Sequence, residues 1–310
     1  MRGSAEKRPT ARRDTAELLD LGRCIVAWGT EGGSTSRRPE LPWRSTRDPW
    51  AVLVSEVMAQ QTQVGRVVPV YRRFLIEFPN PAACADASLG EVLRAWQGLG
   101  YNRRARNLHR AAAAIVADYG GKVPGTLPSL LSLPGVGAYT ARAVLAFSFE
   151  ADVGVVDTNA GRVLSRGVSG HSIRPSEAQS LVDAMVPPGE AWIFGQALLD
   201  LGASVCTASA PRCQQCPIVA DCRWALSGRP SPDPAVGSAG VSTRQSAFVG
   251  SDRQGRGRLI SVLRDGDIAP AHLAEAAGWP DDPDRAERVA LGLIGEGLVV
   301  RDGTGTLSLP

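Results

Sequence analysis

The chain has 310 residues, of which 44% are hydrophobic and 21% charged, with a formal net charge of +3. That length suits two or three domains, the balance is that of an ordinary soluble globular protein, and no run approaches the roughly 20 apolar residues of a membrane span, which excludes a helical membrane protein. A charge this small permits a polyanionic partner without demanding one.

Residues 1–13 are basic and have no apolar segment behind them, so they are expected to form a disordered tail rather than a signal peptide. A cytosolic chain is expected, in which thiols stay free and a disulfide framework is not formed. From Asp14 to about Leu226 the pattern is helix after helix with short Pro/Gly punctuation, and the fold is predicted to be mainly α. Leu18, Leu21, Ile25 and Trp28 repeat at helical spacing. Asp48-Pro49 supplies an N-cap and a first-turn proline for a helix through about Gln61. Further helices are predicted at 65–77, 101–118, 138–149, 158–167, 175–186 and 190–203. Ser227–Ser246 is rich in Pro, Gly and Ser and reads as a linker at 227–246. Beyond it, Arg258–Arg264, Ala271–Ala277 and Ala286–Ile294 read as helices, and Leu298–Arg301 with Thr306–Leu309 as a hairpin. Three helices and a hairpin predict a winged-helix-like module over 247–310, with a packing appendage as the plainer alternative.

Two features carry chemistry. Cys206, Cys213, Cys216 and Cys222 are spaced to wrap one centre, and four thiolates serve either zinc or an iron–sulfur cluster. Leu133-Pro134-Gly135-Val136-Gly137-Ala138 leads into an apolar helix, where two glycines allow a tight turn whose N–H groups can hold a phosphate. Taken alone, that turn is equally an ordinary corner between helices.

A helix–hairpin–helix ahead of this cysteine spacing resembles the endonuclease III superfamily of DNA base-excision glycosylases, and within it the MutY family of adenine DNA glycosylases. The matching segments are Leu41-Pro42-Trp43-Arg44, Ser55–Val64, Gly98-Leu99-Gly100-Tyr101, Arg104–His109, the hairpin, Val156-Asp157-Thr158-Asn159 and the cysteines. They run in family order over about 17–226. The resemblance implies a two-lobed helix–hairpin–helix fold, with a six-helix lobe at about 49–156 and an iron–sulfur lobe at about 14–48 plus 157–226. It implies a [4Fe–4S] cluster on the four cysteines. The implied partner is double-stranded DNA containing adenine opposite 8-oxoguanine or guanine, in a bacterial cytoplasm or nucleoid. A monomer is expected, since no exposed heptad or large apolar stripe is visible.

Cutting an N-glycosidic bond needs an acid on the leaving base and a negative charge near the oxocarbenium-like sugar. Glu56 sits mid-helix among Val52, Leu53, Val57 and Met58, where burial should raise its pKa, and Asp157 opens a helix whose N–H groups favour the anion. Singly, one would be a paired or solvated helix residue and the other an N-cap. The resemblance gives Glu56 the task of protonating adenine and activating water, and gives Asp157, with Asn159 in its motif, that of stabilising the cation or trapping it covalently. Tyr139 stands where endonuclease III-like enzymes carry a Schiff-base lysine, so a monofunctional glycosylase without efficient strand cleavage is expected, with Tyr139 hydrogen-bonding near Asp157. The resemblance further implies that Gln61, Leu99 and Tyr101 intrude beside the opposite guanine, and that Trp43, Arg44 and Gln196 line the adenine pocket. It places Gly135 and Gly137 against the DNA backbone. Arg103, Arg104 and Arg106 are expected at phosphates, as is Arg212 in the cysteine loop.

Departures from the family pattern are specific. Ala59 stands where many relatives have leucine, and Asn102 where a second tyrosine is common. The roughly 65 residues after the linker are too few for the Nudix-like domain that helps many relatives read 8-oxoguanine, so that task falls to the catalytic half or to the winged module. Rival readings are a thymine or uracil mismatch glycosylase and a non-catalytic Fe–S DNA-binding protein. Cys24 and Cys84 are expected to be buried thiols, and His109, His171 and His272 are assigned to no metal.

Overall fold

The computed structural model describes residues 13–31, 41–238 and 247–310. The expected tail lies outside them except for Arg13, as do residues 239–246 of the expected linker. Helices follow one another as α1 (Thr15–Thr30), α2 (Pro49–Ala59), α3 (Val64–Glu77), α4 (Pro81–Asp86), α5 (Leu89–Ala95), α6 (Arg103–Tyr119), α7 (Leu127–Leu131), α8 (Ala138–Ser148), α9 (Thr158–Val163), α10 (Pro175–Met185), α11 (Ala191–Asp200) and α12 (Arg223–Leu226). The terminal segment adds α13 (Asp252–Asp265), α14 (Leu273–Ala277), α15 (Pro283–Gly295) and a hairpin of β1 (Val300–Arg301) with β2 (Leu307–Ser308). Every predicted helix is present.

These residues form two compact units. One contains residues 13–31 and 145–238, the other 41–144 and 247–310, so the boundaries fall at 41 and within α8 rather than at 49 and 157. In the first unit α1 begins with a reciprocal capping box between Asp14 and Glu17 and packs on α10 and α11. Helices α9 and α11 each continue as a π-helical turn, at Leu164–Ser169 and Leu201–Val205. The wider turns are visible in the Gly170 N–H to Ser165 carbonyl and Cys206 N–H to Leu201 carbonyl bonds, each five residues back. Nothing in hydrophobic periodicity distinguishes such turns from α-helix.

Composition misleads at 227–238. That stretch is folded onto its own unit: Asp233 pairs with the buried Arg166, and Ala235 and Ser238 are buried. One internal ion pair outweighs the loop-like composition.

In the second unit α2 is capped by both carboxylate oxygens of Asp48, on the N–H groups of Trp50 and Ala51, with Pro49 in the first turn. Every residue from Trp50 to Met58 is buried, so α2 is a core helix enclosed by neighbours that include α3 and α6. Helices α13, α14 and α15 pack on one another, and an isolated bridge from Ile268 to Leu307 adds to the hairpin. This terminal segment is attached to the helices before it. The Arg264 Nε donates to the Leu93 carbonyl at 2.9 Å, the Gly90 N–H to the Pro310 carbonyl at 2.7 Å, and Arg103 pairs with Glu296 at 2.6 Å.

Candidate active site and thiol cavity

The second unit holds Glu56, Tyr139, Gly135, Gly137, Gln61, Leu99, Tyr101, Trp43 and Arg44, and the first holds Asp157, Asn159, Gln196 and the four cysteines. Glu56 is 8% exposed on α2, between the fully buried Leu53 and Met58. The C-terminal end of α2 is tied to the start of α8, where Tyr139 sits half-buried, by a 3.2 Å bond from the Gln60 amide to the Thr140 hydroxyl. Gly135 precedes α8 with φ +77, a left-handed conformation, and a Cβ there would lie 2.6 Å from the Asn107 Cβ. Both conditions demand glycine. Gly137 has open space around its Cα instead.

Arg104 organises the loops beside Glu56. Its guanidinium donates to the carbonyls of Val57, Met58 and Gln60 at 2.6–2.9 Å and to Thr62, Leu99 and Gly100 at 2.9–3.3 Å. Burial pulls its pKa down to about 10. The expectation that Arg104 contacts phosphate is therefore corrected: its side chain points inward, because the end of α2 and the loop at 99–101 leave carbonyls that only a fork-shaped donor can satisfy together. Arg103 and Arg106 are also engaged, both with Glu296.

The expected intruding residues divide. Tyr101 is 42% exposed, with φ +48 and Arg104 stacked 5.4 Å from its ring centre; Gln61 is exposed with φ +53. Strained backbone at two non-glycine loop residues belongs to sites that present side chains outward. Leu99 is only 2% exposed. It is packed inward as part of the core beneath the loop, and is not displayed as a wedge. Trp43, on a short 3-10 turn at Pro42–Arg44, makes an edge-to-face contact with Tyr71 at 5.3 Å and is half-buried, as is Arg44.

In the first unit Asp157 caps α9. One carboxylate oxygen accepts from the Asn159 and Ala160 N–H groups at 2.8 Å each, and the other from the Asn159 amide at 2.9 Å. Burial raises the Asp157 pKa, while these bonds and the charge of Arg162 work to lower it. Gln196 is buried on α11.

Sequence reasoning missed Arg162 and Arg166. Arg162 donates to the Asn159 side-chain oxygen at 2.8 Å, to the Gly202 carbonyl at 2.7 Å and to the Cys206 carbonyl at 2.6 Å, linking the Asp157 cap to the cysteine loop. Arg166, 2% exposed, donates to the Thr207 carbonyl, lies 3.6 Å from the Cys206 sulfur and stacks on Trp224 at 4.8 Å. Their only sequence signal is the spacing of two arginines, at i and i+4, after the Asp157 motif.

Cys206, Cys213, Cys216 and Cys222 line one small cavity together with Arg166, Val205 and Trp224. Burial raises the thiol pKa at Cys206 and Cys222 and pushes Cys216 up to about 12. Among the described residues no three His, Cys, Asp or Glu side chains close on one metal-ion position. The four thiols form an all-sulfur donor set around a shared hole, the ligand set that iron–sulfur clusters take. Of the other cysteines, Cys84 is buried, its thiol pushed up to about 12, whereas Cys24 is exposed, contrary to expectation. It sits on the flank of the buried face of α1, beside the exposed Arg23 and before the buried Ile25.

Comparison with known proteins bears on all of this. Residues 54–188 match the model of the HhH-GPD superfamily of base excision DNA repair proteins. An adenine DNA glycosylase of Mycolicibacterium smegmatis is 42% identical over 276 residues, covering 88% of this chain and 92% of that protein. The Homo sapiens adenine DNA glycosylase is 40% identical over 229 residues, 68% of this chain and 40% of that protein. Among solved structures, a thermostable thymine-DNA glycosylase superposes with TM-score 0.61 at 27% identity, covering 69% of this chain and 99% of that one. A trapped endonuclease III–DNA covalent intermediate gives 0.55 at 23% identity, covering 70% and 99%.

Proposed function

The chain belongs to the HhH-GPD superfamily of base excision DNA repair proteins, and on that premise we propose that it is a monofunctional glycosylase that hydrolyses the N-glycosidic bond of adenine mispaired with 8-oxoguanine or guanine in duplex DNA. The observation that carries the reading is that two carboxyl groups are held differently. Glu56 lies in an all-buried helix face, and Asp157 is held by three hydrogen bonds at a helix N-terminus.

In this reading Glu56 carries a proton into the site and delivers it to a ring nitrogen of the extruded adenine. The bond from the base to the sugar C1′ then breaks, with its electrons leaving on adenine. Asp157 stabilises the cationic sugar, and Asn159 and the two backbone N–H groups keep that carboxylate aimed. Water adds to C1′ and gives its proton to Glu56, restoring the acid. Tyr139 offers no amine for a Schiff base, so the product is an intact strand with an abasic site. Trp43, Arg44 and Gln196 are assigned to holding the adenine, Gln61 and Tyr101 to the opposite base, and Gly135 and Gly137 to the backbone. Cys206, Cys213, Cys216 and Cys222 would hold a [4Fe–4S] cluster, which, when bound, supplies a structural brace for the loop that carries Arg212. The protein is taken to act as a monomer in the cytoplasm.

Single-turnover assays on duplexes carrying A·8-oxoG, A·G, T·G and U·G test this. Adenine release from the first two is expected, with strand breaks appearing only after alkali. Release confined to the pyrimidine mismatches would replace the reading by its thymine or uracil rival, and breaks without alkali would remove the monofunctional assignment.

A further inference from the structure

The second unit contains a cavity of about 1020 Å³ between the Gln61 turn, the loop at 99–102 and the terminal segment. Among the described residues five arginines line it against a single carboxylate, that of Glu296. Arg66 and Arg103 come from the helical lobe, and Arg253 and Arg256 from α13. Glu296 is shared: Arg103 approaches it at 2.6 Å, Arg256 binds its other oxygen, and its carbonyl accepts from Arg106. One anion thus holds guanidinium groups from both sides in place while leaving the lining strongly cationic. Aromatic faces are present as well. Phe248 is 56% exposed with Arg253 stacked 5.9 Å from its ring, and it shares the cavity wall with the exposed Tyr101.

A cavity walled by like charges concentrates anions, and planar forks spaced along it suit successive phosphodiesters better than a single small anion. We propose that the terminal module, through Arg253 and Arg256, forms a phosphate clamp with Arg66 and Arg103 for the DNA strand whose bases meet Gln61 and Tyr101. This rests on the DNA glycosylase reading and gives the module a binding role that the catalytic residues do not supply. The contact is to backbone, so it is independent of which bases are paired.

The test uses the full chain and a fully paired 30-bp duplex, with Kd measured by fluorescence anisotropy across a salt series. Arg253→Gln and the double variant Arg253→Gln/Arg256→Gln are expected to weaken binding roughly tenfold and a hundredfold near 50 mM salt. The slope of log K against log salt should fall by about one for each arginine removed. Arg288→Gln removes the same charge from an exposed position on α15 outside the cavity lining, and should bind within about twofold of the parent. Urea midpoints of each variant separate a lost contact from an undocked module. Parental affinity and slope in the double variant at a parental midpoint, or an equal loss in Arg288→Gln, would overturn the clamp. Adenine release by the parent chain is read on a different, mismatched duplex, so failure of the glycosylase reading is seen separately.

Discussion

Replacing Glu56 by Gln is expected to lower the single-turnover rate of adenine release by roughly 10²–10⁴-fold, the range that a positioned general acid contributes. Gln has nearly the same volume, so α2 keeps its packing around a side chain that is only 8% exposed. Affinity for the mismatched duplex should change little, because the substitution alters proton delivery and not the contacts that bind DNA. The two readouts are therefore expected to separate. Parental rates in Glu56→Gln would remove that residue from the chemistry, and a parallel collapse of rate and affinity would make it a binding residue.

Asp157→Asn should lose activity without losing stability. The anion opposite the developing sugar cation disappears, and a loss of about 10²–10³-fold is expected for removing one such electrostatic partner. Stability moves the other way. Burial raises the Asp157 pKa in the folded protein, so the folded state binds that proton more tightly than the unfolded chain does. An ionised Asp157 therefore costs stability at neutral pH, and that cost fades as pH falls through the raised value. Asparagine caps helices about as well as aspartate and carries no charge to desolvate. Its urea midpoint at pH 7 is expected to equal or exceed that of the parent. The same shift sets the pH profile: the parent's excision rate should fall on the acid side at a pH above the ordinary aspartate value of about 3.9. A destabilised Asp157→Asn, or an acid limb at or below that ordinary value, would contradict the buried-anion account.

Much of this was legible in the residues. Helix positions followed from apolar spacing and from caps such as Asp48 and Asp157, whose side chains do bond the N–H groups that the sequence offered them. What escaped shares one physical character. Arg104, Arg162 and Arg166 are charged, yet they are turned inward by backbone carbonyls and an aspartate distant in sequence, and no local pattern reveals such partners. Leu99 illustrates the converse. An apolar residue in a glycine-flanked loop invites a wedge assignment, but the core beneath the loop takes it first. Short helices such as α4, α5 and α7, capped by Asn80, Ser88 and Thr126, hold too few turns for periodicity to register.

The Arg166–Asp233 pair bears on where a gene for a minimal fragment ought to stop. Ending the chain after Leu226, where the helical pattern runs out, would strand a guanidinium that is 2% exposed beside the Cys206 sulfur. Asp233 is 26% exposed, so its loss costs less than the roughly 3–5 kcal/mol of a fully buried pair, yet it takes from Arg166 its carboxylate counter-charge. A truncation that keeps this strap therefore extends at least through Ser238, whose hydroxyl accepts from the Ile173 N–H and donates to the Pro234 carbonyl.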